Sequence, residues 1–209
     1  MLDIPFVKQP DPKSCALACS TMIAKYFFPD TSFTQVAEIS SWQAGYVVWT
    51  YKFWIWLMDQ GIKISEFDLI DAKAWANEGI EGLKKSVSEK EFKYYVENTK
   101  DINSYAEDIK KVLDHENFTY LQKKPTFENL EKALSIGNIC EVVLDSRNLR
   151  DQEGFSLHRV VVLGIVSDEI VFHDPAVGPA CRFPVSKFKE AWLIAVSEPE
   201  LCIYQNDRT

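Results

Sequence analysis

The spacing of apolar positions divides the chain into a helical first half and a strand-rich last third. Residues 3–7, "DIPFV", form a short extended lead, and Pro10 and Pro12 hold the next stretch out of a helix. Ser14 then stands as an N-cap before "CALACSTMIAKYF", whose apolar residues recur at helical spacing as far as about Phe28 and Pro29. A second helix is predicted after Thr31 or Ser32, ending near Gly45. A third covers the aromatic window Tyr46–Met58, with Gly61 as its C-terminal stop. "IKISEFD" reads as a strand, and from Ala72 to about Leu121 the pattern is helical, acidic and lysine-rich.

The last third changes period. Thr126 caps "FENLEKALSI" and Gly137 closes it; "ICEVVLD", "HRVVVLGIV" and "IVFHD" then read as buried strands, the last two joined by a turn at "SDE". Pro175, Gly178 and Pro179 mark a loop, Ser186 caps a short helix "KFKEAW", and "ELCIYQ" reads as a late edge strand. Helices first and hairpins later define an α+β arrangement in a single domain spanning residues 1–209, with a helical insertion at about 70–122.

Bulk properties narrow the function. A formal net charge of −8, with no clustered Lys or Arg, excludes nucleic acid and an anionic membrane as main partners. The aromatic window is too short to span a bilayer and carries Lys52, and the start of the chain lacks the pattern of a targeting peptide, so a cytoplasmic protein without membrane insertion is expected. The five cysteines lack zinc or disulfide-framework spacing, which predicts reduced thiols and neither metal nor other cofactor.

One of those thiols is placed for chemistry. Cys15 is the first helical residue, where unpaired N–H groups and the helix dipole favour a thiolate; Cys19, one turn on, belongs to the packing beneath. A thiolate nucleophile needs a base, and there are three histidines. His115 lies in the polar insertion and reads as a surface residue. His158 opens a strand that orients its ring, with a half-buried strand-end residue as the bland alternative. Asp174, at the end of the following strand, is the candidate to hold the imidazole, although alone it reads as a turn-former before proline. A tight turn at Ser167–Asp168 puts His158 opposite a residue beyond Asp174, so the pairing requires a looser turn, a bulge or a bend at Pro175. His173 alternates to the other side and reads as structural. The backbone N–H of Cys15 and the side-chain amide of Gln9 are candidate oxyanion donors. Trp49, Trp54 and Trp56 are the candidate wall of a substrate groove, against the simpler reading of core packing.

Gln9, Cys15 opening a helix, His158 before "VVVLG" and Asp174–Pro175 together resemble the bacteriocin-processing cysteine peptidases, the papain-like domains that cleave leader peptides after a double glycine and are often fused to ABC exporters. The likeness extends through "DIPFVKQPDPKSCALAC", "PTFENLEKALSIGNICEVVLD" and "HRVVVLGIVSDEIVFHDPAVG" followed by "FPVSKFKEAW". It implies a papain-like fold, with a helical lobe bearing Cys15 packed on a sheet bearing His158 and Asp174. It also implies Cys15 as nucleophile, His158 as base, Asp174 as orienter and Gln9 as oxyanion donor, acting on a peptide or protein substrate. Ala16 stands where the family has glycine, residues 40–125 differ from the compact exporter domain, and no membrane or nucleotide-binding segment is present by Thr209, which points to a free-standing peptidase-like relative. Acyl transfer on the same triad and non-catalytic peptide binding are the alternatives; oligomeric state is left open.

Overall fold

The computed structural model describes residues 1–205. Helix α1 (Cys15–Phe27) is followed by α2 (Phe33–Ile39), α3 (Tyr51–Asp59) and strand β1 (Lys63–Asp68). Then come α4 (Ala72–Glu78), α5 (Ile80–Ser86), α6 (Glu89–Asn98), α7 (Tyr105–Leu113) and β2 (Phe118–Gln122). The last part holds α8 (Phe127–Ser135), β3 (Ile139–Asp145), α9 (Ser146–Leu149), β4 (Leu157–Val166), β5 (Glu169–Asp174), β6 (Gly178–Pro184), α10 (Val185–Lys189) and β7 (Leu201–Gln205). The strands form one seven-stranded sheet in the order β2-β1-β7-β3-β4-β5-β6.

Each face of the sheet covers its own core. Met22, Ile23, Phe53 and Leu57 from α1 and α3 pack on one face with Val161, Cys202 and Tyr204. Leu130 of α8, Phe188 of α10 and Trp192 pack on the other with Val142, Val160 and Phe172. The resulting α+β architecture has the predicted layering, with the helix bearing Cys15 against β4.

Several boundaries differ from the sequence reading, each for a local reason. Helix α2 begins at Ser32, whose hydroxyl and Gln35 form a reciprocal capping box, but it ends at Ile39, where Ser41 takes a positive φ of 52°. Helix α3 starts only at Tyr51. The stretch near Leu121, expected to be helical, is strand β2, paired in parallel with β1. The expected loop beyond Gly178 is edge strand β6, and α10 is capped at Pro184 rather than Ser186. "ELCIYQ" is not an edge strand: β7 lies between β1 and β3. Leu201 and Ile203 face one core while Cys202 and Tyr204 face the other, which leaves no polar alternation to mark a solvent face. Helices α4–α7 also carry apolar side chains inward: Trp75, Leu83, Ile109 and Val112 enter the core shared with α1 and α3.

The β4–β5 hairpin contains the feature that positions the site. Its turn is tight, with Val166 opposite Glu169 and Gly164 opposite Val171, but the next pairs are Val162–Phe172 and Val161–His173. Leu163 is therefore an extra residue, a β-bulge. Continued without the bulge, the register would set Asp174 opposite Val161, on the face away from His158. With it, Asp174 falls beside Val160 and shares a face with His158. The unmatched Leu163 carbonyl accepts a hydrogen bond from the Leu2 N–H at 2.8 Å, and Met1 packs on Gly164, whose φ is +157°. A Cβ there would meet Met1 Cγ at 3.2 Å. Gly164→Val should thus cost roughly 1–3 kcal/mol, read as a lower urea midpoint with an unchanged m-value; an unaltered midpoint would show that the bulge tolerates a side chain.

Candidate active site

Cys15 sits at the first position of α1, partly buried. Ser14 occupies the N-cap position, yet its hydroxyl does not cap the helix; it donates to the Asp11 carbonyl at 2.9 Å. The first turn carries no acidic side chain either. The N–H groups at this end are thus left without a side-chain anion, an environment that favours a thiolate.

His158 and Asp174 meet across the hairpin, the imidazole Nε2 lying 2.7 Å from Asp174 Oδ1. Both side chains are buried. Asp174 Oδ1 also accepts the Ala176 N–H at 2.9 Å, and Oδ2 accepts from Arg150 Nη2. With Nε2 committed to the carboxylate, Nδ1 is the ring nitrogen available to the thiol.

The protonation pattern follows from these contacts. Burial alone would push the Cys15 thiol up, but its hydrogen bond to His158 and the imidazolium charge outweigh this and hold it below the ordinary thiol value. Burial would likewise lower the His158 pKa; hydrogen bonds to Asp174 and Cys15 prevail and raise it to about 9. For Asp174, burial is again overcome by His158 and then by Arg150, and its pKa is lowered. These contacts favour a thiolate–imidazolium pair over the neutral one, with an ionised carboxylate behind it.

The other predicted residues are placed as follows. The Gln9 backbone N–H donates to the Pro175 carbonyl at 3.0 Å, tying the loop before α1 to the end of β5. Its side-chain amide is turned to the Asp11 carbonyl at 2.8 Å, and its buried Oε1 has no partner among the described residues. Cys19 is fully buried, donates its thiol to the Arg159 carbonyl at 3.4 Å, and is pushed well up by burial. His173 fastens the N-terminal segment: its Nδ1 accepts the Ala180 N–H, so Nε2–H donates to the Ile4 carbonyl at 2.7 Å. His115 lies near Asp59, remote from the cleft lining.

A cleft opens at Cys15 and His158, with Ala16, Val48, Trp49, Tyr94 and Tyr95 in its walls. Trp49 lines this cleft. Trp54 does not: it is 1% exposed and donates its indole N–H to the Tyr204 hydroxyl at 3.0 Å, inside the core. Trp56 is also away from the cleft, packed on Phe28 and Phe53. Both tryptophans lie on a helix that is apolar nearly all round, so its aromatic character comes from burial. Arg150 was not foreseen, since an arginine in "SRNLR" carries no signal that distinguishes it from a solvated one.

The sheet with its Cys-bearing helix is the fold of the C39-like peptidases, a papain-like fold. Among solved structures the chain is similar to a Bacillus anthracis protein described as a C39-like peptidase, at 12% identity and a TM-score of 0.55, covering 99% of this chain and 96% of that one. It also aligns with the peptidase domain of Streptococcus ComA, a bi-functional ABC transporter involved in a quorum-sensing pathway, at 13% identity and a TM-score of 0.47, covering 96% and 98%. No family model matches the sequence, and no curated protein is detectably similar to it. No helix among the described residues is long and apolar enough to cross a membrane.

The electrostatics lead to a signed prediction. Iodoacetamide alkylation of Cys15 should stay fast well below the ordinary thiol pKa of 9.0. In His158→Ala the largest influences lowering the thiol pKa are gone, so the inflection of rate against pH should move upward. Identical profiles for the two proteins would show that His158 does not stabilise the thiolate.

Proposed function

We propose that the protein is a cysteine peptidase that cleaves a peptide bond with Cys15 as nucleophile, His158 as acid and base, and Asp174 as orienter. The observation that carries this reading is the buried 2.7 Å contact of His158 with Asp174 beside a thiol of lowered pKa. An ordinary buried cysteine has its pKa raised, as burial alone raises that of Cys140. A passive peptide binder has no use for the difference. The whole chain acts as one peptidase domain, in which the insertion at about 70–122 walls the cleft through Tyr94 and Tyr95.

The steps follow from the placement of the groups. The Cys15 thiolate adds to the substrate carbonyl carbon, and the electron pair moves to oxygen. The Cys15 N–H and the Gln9 amide, swung from the Asp11 carbonyl, stabilise that oxyanion. The protonated Nδ1 of His158 then gives its proton to the leaving amine as the C–N bond breaks, leaving a thioester and a neutral imidazole. His158 next takes a proton from water, the resulting hydroxide attacks the thioester, and the acid is released with the thiolate restored. Asp174 and Arg150 act behind the ring as positioning groups: the carboxylate holds Nε2–H, and the guanidinium holds the carboxylate.

Three results are expected. Against an electrophilic peptide library, Cys15 should be the labelled residue, and Cys15→Ala should abolish turnover of any peptide the library selects. Gln9→Ala should lose roughly 10²-fold in kcat with little change in KM; a wild-type rate removes Gln9 from the mechanism. Because the imidazolium must donate, kcat/KM should fall as pH rises through about 9, the raised His158 value, and should fall again on the acid side as the thiolate protonates. Product analysis with an added amine separates hydrolysis from acyl transfer.

A further inference from the structure

Part of the cleft is lined by Asp68, Glu198 and Glu200. The nearby cation, Arg159, is already engaged: its guanidinium lies 2.6 Å from Glu200 and 3.4 Å from the fully buried Glu141. Lys13, two residues before Cys15, also lines the cleft and pairs with none of these carboxylates among the described residues. The carboxylates in this part of the cleft therefore outnumber the guanidinium that serves them.

Sheet register explains why they gather. Glu66 of β1 pairs with Cys202 of β7, and Cys202 pairs in turn with Glu141 of β3. One residue pair further along β1 and β7, past Phe67–Leu201, the strands bring Asp68 next to Glu200. The same sheet face thus presents acidic side chains on neighbouring strands, directed at the lobe that holds Trp49 and Tyr95.

An independent feature marks the place as unfinished. Glu66 is 4% exposed, yet its carboxylate makes no hydrogen bond or ion pair among the described residues, and it lies within 4.8 Å of the side-chain ligand atoms of Glu200 and Cys202. Glu141 also keeps one buried oxygen, Oε1, without a partner. A buried carboxylate left unpaired is costly, and such groups are normally neutralised by a proton or a cation. The carboxylates here respond in the first way when alone: burial, and then neighbouring acids, push Glu66 and Asp68 well up, and burial with Glu91 raises Glu198 to about 8.

We propose that this part of the cleft is a substrate subsite for a positively charged side chain, so that the peptides taken by the protein carry a lysine or arginine near the bond presented to Cys15. Asp68 and Glu198, whose pKa values are raised while they stand alone, ionise against the incoming charge, and Trp49 and Tyr95 in the same cleft supply aromatic surface of the kind that receives ammonium and guanidinium groups. This specificity rests on the peptidase reading above, since Cys15 fixes which bond lies next to the subsite.

Equilibrium binding tests it without the chemistry. Full-length protein carrying Cys15→Ala is titrated by fluorescence anisotropy, at physiological salt, with labelled extended peptides in which a single Lys, Arg, citrulline or norleucine is walked through an Ala/Gly background. Lys or Arg at one particular position should bind about tenfold or more tighter than citrulline or norleucine at that position. In Asp68→Asn, which keeps an acceptor for the Leu69 and Ile70 N–H groups, and separately in Glu198→Gln, the advantage should shrink to about twofold or less. A cation preference that is equal at all positions reflects only the net charge of the protein, and it overturns the proposal. So does a preference that survives both substitutions, or no preference. If the basic peptides bind as expected but wild-type protein never cleaves them or forms an acyl-enzyme, the subsite stands and the peptidase reading fails.

Discussion

The hydrogen bond between His158 and Asp174 is the contact on which the rest of the site depends, and a single extra residue makes it available. A regular hairpin with the tight turn seen here would point the two side chains to opposite faces of the sheet. The bulge at Leu163 corrects the parity. Its loose carbonyl is taken up by the N-terminal segment, which runs on past His173 at Ile4 and past Pro175 at Gln9 before turning into α1. The stretch that locks the register of the His158 hairpin is thus the stretch that leads into Cys15. Packing, register and chemistry are linked through backbone hydrogen bonds rather than through one large hydrophobic contact.

The charges around the ring reinforce this arrangement. A carboxylate buried at 0% exposure would be unfavourable alone. It is compensated on one oxygen by the imidazolium and a backbone N–H, and on the other by Arg150. That compensation keeps Asp174 ionised, the ionised Asp174 raises the His158 pKa, and a protonated His158 lowers that of the thiol. Around Asp68, Glu198 and Glu66 the balance is reversed: carboxylates exceed cations, and the deficit is met by raised pKa values.

Much of this was legible in the sequence where one local rule decided the outcome. Ser14 before an apolar helical period placed Cys15 at a helix start, and Thr126 and Gly137 bracketed α8. That the register needed a looser turn, a bulge or a bend at Pro175 followed from counting residues between His158 and Asp174; which of the three it is did not. What was hidden depended on tertiary context. β7 read as an edge because its five residues give no hint of the two strands that flank it. β2 read as helix because its neighbours are helical, and only parallel pairing with β1 makes it a strand. Trp54 and Trp56 looked like groove residues because burial and ligand contact select the same aromatic side chains. The role of Arg150 and the gathering of Glu66, Asp68 and Glu200 arise from chain crossings that no spacing rule encodes.

The central claim is that the site rests as a thiolate–imidazolium pair, and the most direct test is the titration of His158 itself. The ¹⁵N shifts of its ring nitrogens, followed against pH in the wild-type protein, should report a doubly protonated ring up to about pH 9. The loss of that proton should fall well above the thiolate transition seen by ultraviolet absorbance. A ring that instead titrates near the ordinary 6.5, with Cys15 ionising at or above 9.0, would contradict the account.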